Sequence, residues 1–378
     1  MAKRIYIGVD DKARKVKRMY VGVNGVARKI KRAYIGVGGI ARPCFSTELV
    51  YWGTATPLSE KRYDLAATTV GDYALFGGGY PLSKVVDAYN KSLTRTNPTE
   101  LSQSRTYLAA TTVGDYALFG GGLSTSSSHY KTVDAYDKSL TRTLPTELSV
   151  ARGTLAATTV GDYALFGGGY KPSQSKLATV DAYDKSLTRT LPTELSVKRQ
   201  DLAATTVGDY ALFGGGKDSD NKSQAVDAYD KSLTRTTPTA LSVGRRLLAA
   251  TAVGNYALFA GGDEYNYDYS SVVDVYNASL TRTTTLSLSV ARYNLSATTV
   301  GDYALFGGGD IATAYTSSAT VDAYDSSLTH KTATNLSKGR QSLSATTVGD
   351  YALFAGGCKF SSSGNTTYYA DIDVYKSF

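Results

Sequence analysis

Short runs of apolar or small residues alternate with tight polar turns along most of the chain. In a typical copy, the runs LAATTV and YALF flank a Gly-Asp pair, which predicts two strands joined by a turn because Gly and Asp tolerate positive φ. The runs VDAY and LTRTLPTEL predict a third and a fourth strand around an Asp-Lys-Ser turn. In the last run, Leu140, Arg142 and Leu144 alternate with threonines, which fits an outer strand with one face covered.

The strand pattern recurs seven times at intervals of 43 to 48 residues. That period suits a four-stranded blade of a β-propeller and is too long for an ankyrin or leucine-rich repeat. The sequence therefore predicts an all-β fold with a seven-bladed propeller over residues 46–378. The tyrosine that follows each Gly-Asp or Gly-Asn turn marks the copies at Tyr73, Tyr116, Tyr163, Tyr210, Tyr256, Tyr303 and Tyr351.

Two features place the strands within a blade. The first strand consists mainly of Ala and Thr, so we expect it to be innermost, where blades converge and only small side chains fit. The triple glycine Gly77 to Gly79 and its equivalents end the second strand, where close backbone packing would leave no room for a Cβ atom. Each blade is therefore predicted to grade from small inner to large outer side chains.

The two ends of the chain predict how the ring closes. The last copy stops after its third strand, and the segment from Leu49 to Ser59 aligns with the fourth strands of the other copies. Trp52 lies ten residues before Arg62, the spacing found between the equivalent positions of other repeats. We therefore expect this N-terminal strand to pair with the last repeat, which removes two exposed sheet edges.

The order of a hydrophobic strand, a Gly-Gly pair, a later Tyr and an Arg just before the next blade resembles the kelch repeat, across residues 46–378. The resemblance implies a kelch-like propeller closed by the N-terminal strand. Kelch repeats usually carry a Trp on the fourth strand, and only Trp52 occupies that position here. Where an arginine takes this position its guanidinium could bind anions, although we expect its aliphatic stem to pack between the flanking leucines. The other repeats carry Arg95, Arg142, Arg189, Arg235, Arg282 and His330 at this position.

Residues 1–45 form a second repeat with a period of 14 residues, in which Tyr6, Tyr20 and Tyr34 are in register. Asn24-Gly25 and Gly38-Gly39 are favoured two-residue turns, so each copy predicts a short β-hairpin. Isolated hairpins are marginal in water, so we expect this arm to pair with itself, with sister chains or with a larger assembly. The arm resembles small N-terminal modules of phage and prophage structural proteins of Gram-positive bacteria. That resemblance implies anchoring residues at Tyr6, Arg14, Lys15, Lys17, Tyr20, Arg28, Lys29, Lys31, Tyr34 and Arg42.

Charge is concentrated in the arm, whose twelve Lys or Arg against two Asp give it +10. The whole chain is +8, so the remaining 333 residues carry about −2, which argues against nucleic-acid binding by the whole chain. Cys44 and Cys358 lack a CxxC or Cys/His spacing and are expected to be free thiols. No apolar run is long enough to span a bilayer and no secretory signal is recognisable, so we expect a virion or otherwise cytoplasmic location.

The repeats differ mainly in the loop between the second and third strands. The seven loops hold 70 residues, of which nine are Tyr and sixteen are Ser, a composition typical of binding loops. The crossover between blades, expected on the same face, is the next most variable segment. We predict a binding face, with drift of unselected surface loops as the alternative explanation. The predicted contact residues are Tyr63, Tyr80, Tyr107, Tyr130, Tyr170, Asn221, Arg246, Tyr265, Tyr267, Tyr269, Tyr293, Tyr315, Phe360, Tyr368 and Tyr369.

The sequence offers little for catalysis or metal binding. The chain has two histidines, His129 in a variable loop and His330 at an arginine position, and neither has a repeated partner. The Asp residues of the Gly-Asp turns and of VDAY recur around the ring, which favours turn capping and pairing with an Arg of the same repeat. Asp218 to Asn221 and Asp263-Glu264 lack the spacing of a calcium loop. We therefore predict no catalytic residue, metal or cofactor.

Three functions remain open at this point. The first is a non-enzymatic recognition protein of a virion, whose arm docks on other assembly proteins and whose propeller face contacts a cell-surface glycan or protein. The second is an intracellular protein-interaction scaffold whose basic arm contacts nucleic acid. The third is an enzyme, because some kelch-like propellers are oxidases or mutarotases, but no His/Tyr/Cys metal constellation is recognisable. We prefer the first, since phage structural proteins leave the cell by lysis.

Overall fold

The computed structural model describes residues 48–124, 128–171, 175–265, 268–311 and 316–377, together with the backbone of six strands in the arm. The described residues form strands, turns and loops, and none belongs to a helix that could cross a membrane. Seven four-stranded antiparallel sheets follow one another along the chain, each one blade of a β-propeller. The predicted all-β, seven-bladed propeller is confirmed.

Each blade begins at its inner strand and proceeds outward. The first strands are Ala66–Val70, Ala109–Val113, Ala156–Val160, Ala203–Val207, Ala249–Val253, Ser296–Val300 and Ser344–Val348. The second strands are Tyr73–Gly77, Tyr116–Gly120, Tyr163–Gly167, Tyr210–Gly214, Tyr256–Ala260, Tyr303–Gly307 and Tyr351–Ala355. The third strands are Val86–Asn90, Val133–Tyr136, Val180–Asp184, Val226–Tyr229, Val273–Asn277, Val321–Asp325 and Ile372–Ser377. The fourth strands are Arg95–Thr96, Arg142–Thr143, Arg189–Thr190, Arg235–Thr236, Arg282–Thr284, His330–Thr332 and, in the seventh blade, Leu49–Thr54.

The first strands line the axis, as predicted from their small residues. Neighbouring first strands are joined by threonines: the hydroxyl oxygens of Thr68 and Thr112 lie 2.9 Å apart, and Thr112 donates to the carbonyl of Thr69 at 2.7 Å. The triple glycines provide room between blades. A Cβ atom on Gly77 would lie 2.8 Å from the ring of Phe119 in the next blade. Glycine fills this position in five blades, as the sequence predicts, whereas Ala260 and Ala355 fill it in the fifth and seventh blades, where the packing admits a methyl group.

A fully buried ion pair recurs in all seven blades. It joins the Arg that precedes the first strand to the Asp of the third strand, at 2.5 to 2.8 Å. In the third blade, Arg152 pairs with Asp181 and also donates to the carbonyl of Phe166 at 3.1 Å. The other oxygen of Asp181 accepts the backbone N–H of Ser149 at 2.9 Å. The predicted pairing within a repeat is confirmed, and it ties each crossover to its blade.

The turns differ from the prediction in two respects. The Asp of the Gly-Asp turn, such as Asp162, forms an exposed ion pair with Lys185 of the adjacent turn, where a turn cap was expected. The fourth strands are shorter than LTRTLPTEL, because Leu140 has a φ of +62° and belongs to the preceding turn. Asp137 caps that turn by accepting the backbone N–H groups of Ser139 and Thr141.

The ring closes as predicted, but the register requires a correction. Leu49–Thr54 pairs with Ile372–Ser377 and completes the seventh blade. Tyr51, and not Trp52, lies opposite Tyr375 at the position of the arginines in other blades, because a bulge shifts the register there. The Tyr51 hydroxyl donates to Asp373 at 2.7 Å, as an arginine does elsewhere.

The bulge leaves Trp52 on the outside of the seventh blade, where it is 50% exposed. Its ring packs edge-on against Tyr351, with 5.9 Å between the ring centroids. The ammonium of Lys376 lies over the Trp52 ring, 4.4 Å from its centroid. The single tryptophan therefore lies on the fourth strand of the seventh blade and packs over its second and third strands, but it does not take the position of the arginines.

The arm contains three separate antiparallel hairpins, which agrees with its 14-residue repeat. Their strands are Tyr6–Val9 with Lys12–Lys15, Met19–Val23 with Val26–Ile30, and Arg32–Val37 with Ile40–Ser46. The predicted turn pairs Asn24-Gly25 and Gly38-Gly39 lie outside the described residues, as do Lys17 and Lys31.

Candidate ligand-binding face

The variable loops and the crossovers lie on one face of the propeller. In every blade, a residue of the crossover forms a β-bridge with a residue at the start of the loop between the second and third strands. Tyr63 and Tyr80 exemplify this contact, with backbone hydrogen bonds of 3.0 and 2.7 Å in the two directions. The two most variable segments of the repeat therefore form a single surface, which we call the loop face.

Four of the predicted contact residues meet on the loop face where the first and seventh blades adjoin. Tyr63 stacks on Tyr368, with 5.6 Å between centroids and 21° between ring planes. Tyr80 packs edge-on against both rings, and Phe360 packs edge-on against Tyr63 at 6.4 Å. Phe360 is 37% exposed and the three tyrosines are partly exposed. This group, which we call the seam aromatic cluster, presents ring surface and phenol groups together.

A second aromatic contact lies at the fifth and sixth blades. Tyr269 and Tyr293 have ring centroids 4.6 Å apart, and the nearby Tyr265 is 43% exposed. Arg246 does not project freely, because its guanidinium forms an ion pair with Asp263 at 2.8 Å. This part of the loop face is therefore aromatic, and because Arg246 is neutralised by Asp263, the acidic side chains of Glu264 and Asp268 in the same loop give it a negative charge.

The remaining predicted residues are dispersed around the face. Tyr170 packs edge-on against His129 at 4.6 Å, and Tyr369 lies under the ammonium of Lys338 at 5.4 Å. Tyr130 is partly buried beside the second blade, and Asn221 occupies a turn with a φ of +66°. Tyr267 and Tyr315 lie outside the described residues, and the side chains of the arm are not described.

The groups considered for chemistry have structural partners. His330 bonds to Asp322 at 2.7 Å, at the position that other blades fill with arginine. Asp263 is paired with Arg246, and Asp218 accepts the backbone N–H of Asp220 within its own loop. Among the described residues, no group of three or more His, Cys, Asp or Glu side chains could hold a metal ion. The described part of the chain thus shows no sign of a catalytic or metal site.

Sequence reasoning missed a ring of residues around the propeller axis. Each crossover contributes one residue with a φ of 49 to 55°, and its N–H donates to the carbonyl of the equivalent residue in the preceding blade at 2.9 to 3.2 Å. The seven bonds form a closed circle, which we call the axial ring. Its members share one sequence signal, since each directly precedes the leucine that lies just before the first strand. They are Asp64, Tyr107, Thr154, Asp201, Leu247, Asn294 and Ser342.

The axial ring surrounds a cavity of about 220 Å³ on the loop face. The carboxylate of Asp64 accepts hydrogen bonds from the side chains of Tyr107 and Ser342. Burial, with a smaller contribution from the charge of Asp201, raises the pKa of Asp64 to about 7. Burial also raises the pKa of Asp201, whose carboxylate accepts a bond from Gln200 at 3.0 Å.

Comparison with known proteins adds evidence on the fold. No protein-family model matches the chain, and no curated protein matches it in sequence. Among solved structures, the propeller entitled "Structure of YjhT" is similar, with a TM-score of 0.60 and 13% identity over 74% of this chain and 99% of that chain. At that identity the similarity establishes the shared propeller fold alone.

Proposed function

We propose that this chain is a non-enzymatic recognition protein that attaches to its target through the loop face. The propeller fold is compatible with a binding role. The observation that carries the proposal is the seam aromatic cluster, whose partly exposed rings come from two loops and a crossover of different blades. Rigid aromatic side chains give large contact area at little entropic cost, so they are effective in recognition. The target class that we propose is a cell-surface glycan or protein.

The arm supplies the second half of the proposal. Its three hairpins have two strands each and are therefore marginal alone, and its charge is +10. We propose that residues 1–45 are a distinct domain that docks on other proteins of a phage particle, while residues 46–378 form a kelch-type propeller. Microscopy of intact particles, with residues 1–45 present and then deleted, tests this. Loss of the propeller from particles is expected on deletion, and unchanged occupancy contradicts docking through the arm.

Binding to intact bacterial cells tests the loop face. Tyr63→Ala with Phe360→Ala removes the centre and the exposed edge of the seam aromatic cluster, and a loss of at least ten-fold in affinity is expected. Leu144→Ala is the control, because it removes a side chain that is 57% exposed on the outer edge of a blade. Equal binding by both variants would contradict recognition by this cluster.

The charge of the arm also favours a second candidate, an intracellular scaffold that contacts nucleic acid. Twelve cationic side chains within 45 residues would give DNA binding that weakens steeply with salt. The full chain should then bind duplex DNA tightly at low salt and lose that binding on deletion of residues 1–45. Salt-independent or absent binding refutes this candidate and leaves the attachment role.

A further inference from the structure

We infer that the axial cavity on the loop face binds an uncharged terminal sugar ring of a glycan. This inference rests on the proposed recognition function and names the ligand class for a site that lies beside the seam aromatic cluster. It starts from the shape of the cavity, whose rim is the axial ring and whose floor is the leucine that follows each rim residue. The seven floor leucines are buried, so an apolar surface lies beneath a polar rim.

The layering of the cavity matches the chemistry of a pyranose. A sugar ring has an apolar face of C–H groups and an equator of hydroxyl groups. Six of the seven rim residues have polar side chains, whereas Leu247 is the apolar member. A ring that rests its C–H face on the leucines would direct its hydroxyls toward the rim. Such sites combine apolar walls with a few polar groups that fix orientation.

The charges of the rim select among sugars. Asp64 and Asp201 belong to the first and fourth blades of seven, so they lie on nearly opposite sides of the axis. Carboxylates accept charge-assisted hydrogen bonds from hydroxyls, which makes them strong acceptors for a neutral sugar. The residues that line the cavity include no Lys or Arg. Above pH 7, where Asp64 is ionised, a sugar acid would place its carboxylate near like charge. Lys217 and Arg246, the cations near Asp201, do not line the cavity, so we expect the sugar acid to be excluded.

The backbone of the rim is fixed before any ligand arrives. The N–H group of every rim residue is already used in the axial ring, at 2.9 to 3.2 Å. These bonds fix the backbone from which the seven side chains project, so binding requires no ordering of that backbone. Tyr107 is 41% exposed, and its side chain donates to Asp64, so it can cover one edge of a bound ring without leaving its partner.

Saturation-transfer NMR of the full chain with methyl pyranosides tests the inference. Neutral hexopyranosides of several configurations are the probes, with a uronic acid glycoside as the charged comparison. We expect a signal from at least one neutral probe and none from the uronate. The double variant Asp64→Asn with Asp201→Asn should weaken binding at least ten-fold, since it removes both carboxylates. Asn tolerates a positive φ, so the rim should keep its backbone.

Asp115→Asn is the matched control, because Asp115 lies in a Gly-Asp turn at the opposite end of its blade and pairs there with Lys138. Thermal midpoints verify that both proteins fold. The inference is overturned if no neutral pyranoside gives a signal, if the uronate binds equally, or if the double variant retains wild-type affinity. Cell binding by the double variant and by the wild type separates the two proposals. If the wild type binds cells but gives no pyranoside signal, the axial site is refuted and the attachment role stands. If it binds a pyranoside but not cells, the attachment role is refuted and the axial site stands.

Discussion

Replacing the buried arginine of one blade should reveal how strongly the repeated ion pair supports the ring. In Arg152→Met, a side chain of similar length replaces a fully buried guanidinium. The change removes the 2.7 Å contact with Asp181 and the 3.1 Å hydrogen bond to the carbonyl of Phe166. Burial lowers the pKa of Arg152, which shows that its charge is held at a desolvation cost offset by Asp181. The variant leaves Asp181 buried without that partner.

The expected loss in the free energy of unfolding depends on the contacts that Asp181 keeps in the variant. Breaking a buried pair by removing one partner costs about 3 to 5 kcal/mol, since the other charge is left uncompensated. Asp181 keeps the N–H and hydroxyl of Ser149 and the guanidinium of Arg189 at 3.7 Å. We therefore expect a loss in the free energy of unfolding near the lower end, about 3 kcal/mol. Lys185→Met is the control in the same blade, because its ion pair with Asp162 is exposed and should contribute little.

Equilibrium unfolding in urea, followed by intrinsic fluorescence and by circular dichroism, measures both variants. A third protein, Arg152→Met with Asp181→Leu, should recover part of the loss because it removes the stranded charge. The reasoning is refuted if Arg152→Met and Lys185→Met differ by less than about 1 kcal/mol. The single variant Asp181→Leu completes the cycle. The reasoning is also refuted if the double variant loses the sum of the Arg152→Met and Asp181→Leu effects, since that would show no coupling between the partners.

Three further predictions follow from local geometry. Gly121→Ala should lower the free energy of unfolding by at least about 2 kcal/mol in urea titration, because its Cβ would lie 2.6 Å from the carbonyl of Arg152 at a φ of +67°. Gly364→Ala, in open space, should lose less. Burial raises the pKa of the Cys358 thiol, so mass spectrometry should find it unalkylated by iodoacetamide until the chain unfolds. The pKa of Asp64 is raised from 3.8 to about 7, so the folded state retains a proton that the unfolded state loses. The Asp64 carboxyl should therefore contribute most to stability below pH 4 and progressively less as the pH rises to 7. Over this range the thermal midpoint of the wild type should fall by more than that of Asp64→Asn.

Much of the propeller could be predicted because its determinants recur at fixed positions in every repeat. The small inner strand, the run of glycines and the buried Arg and Asp appear with little change, so each prediction is supported by several repeats. The closing strand could be predicted equally well, because the last repeat lacks a fourth strand and the segment before the first repeat supplies one. The buried pair of Arg62 and Asp87 was predictable from type and repetition without any distance.

The failures of sequence reasoning have local backbone causes. Spacing alone aligned Trp52 with the arginines, but Gly53 adopts a φ of +109° beside a bulge, and Tyr51 takes that position. The seam aromatic cluster was predicted only as separate residues, because contacts across the ring closure join segments from opposite ends of the chain. The axial ring was missed because its side chains vary from Asp to Leu. They converge on the propeller axis through a backbone conformation that residue type alone does not predict.

The axial ring differs in one respect from the other positions of this chain where a residue other than glycine has a positive φ. A residue other than glycine in the left-handed region is strained by roughly 1 to 2 kcal/mol, and Asn or Asp tolerates it best. The ring instead holds Tyr107, Thr154 and Leu247 among its seven members, and none is glycine. Positive φ at a residue other than glycine also recurs in the outer turns, where six blades have a leucine such as Leu140. The outer turn keeps leucine in each of those blades, whereas the axial position varies from Asp to Leu, so the variety of side chains around the rim, and not the backbone strain, is what fits contact with a ligand.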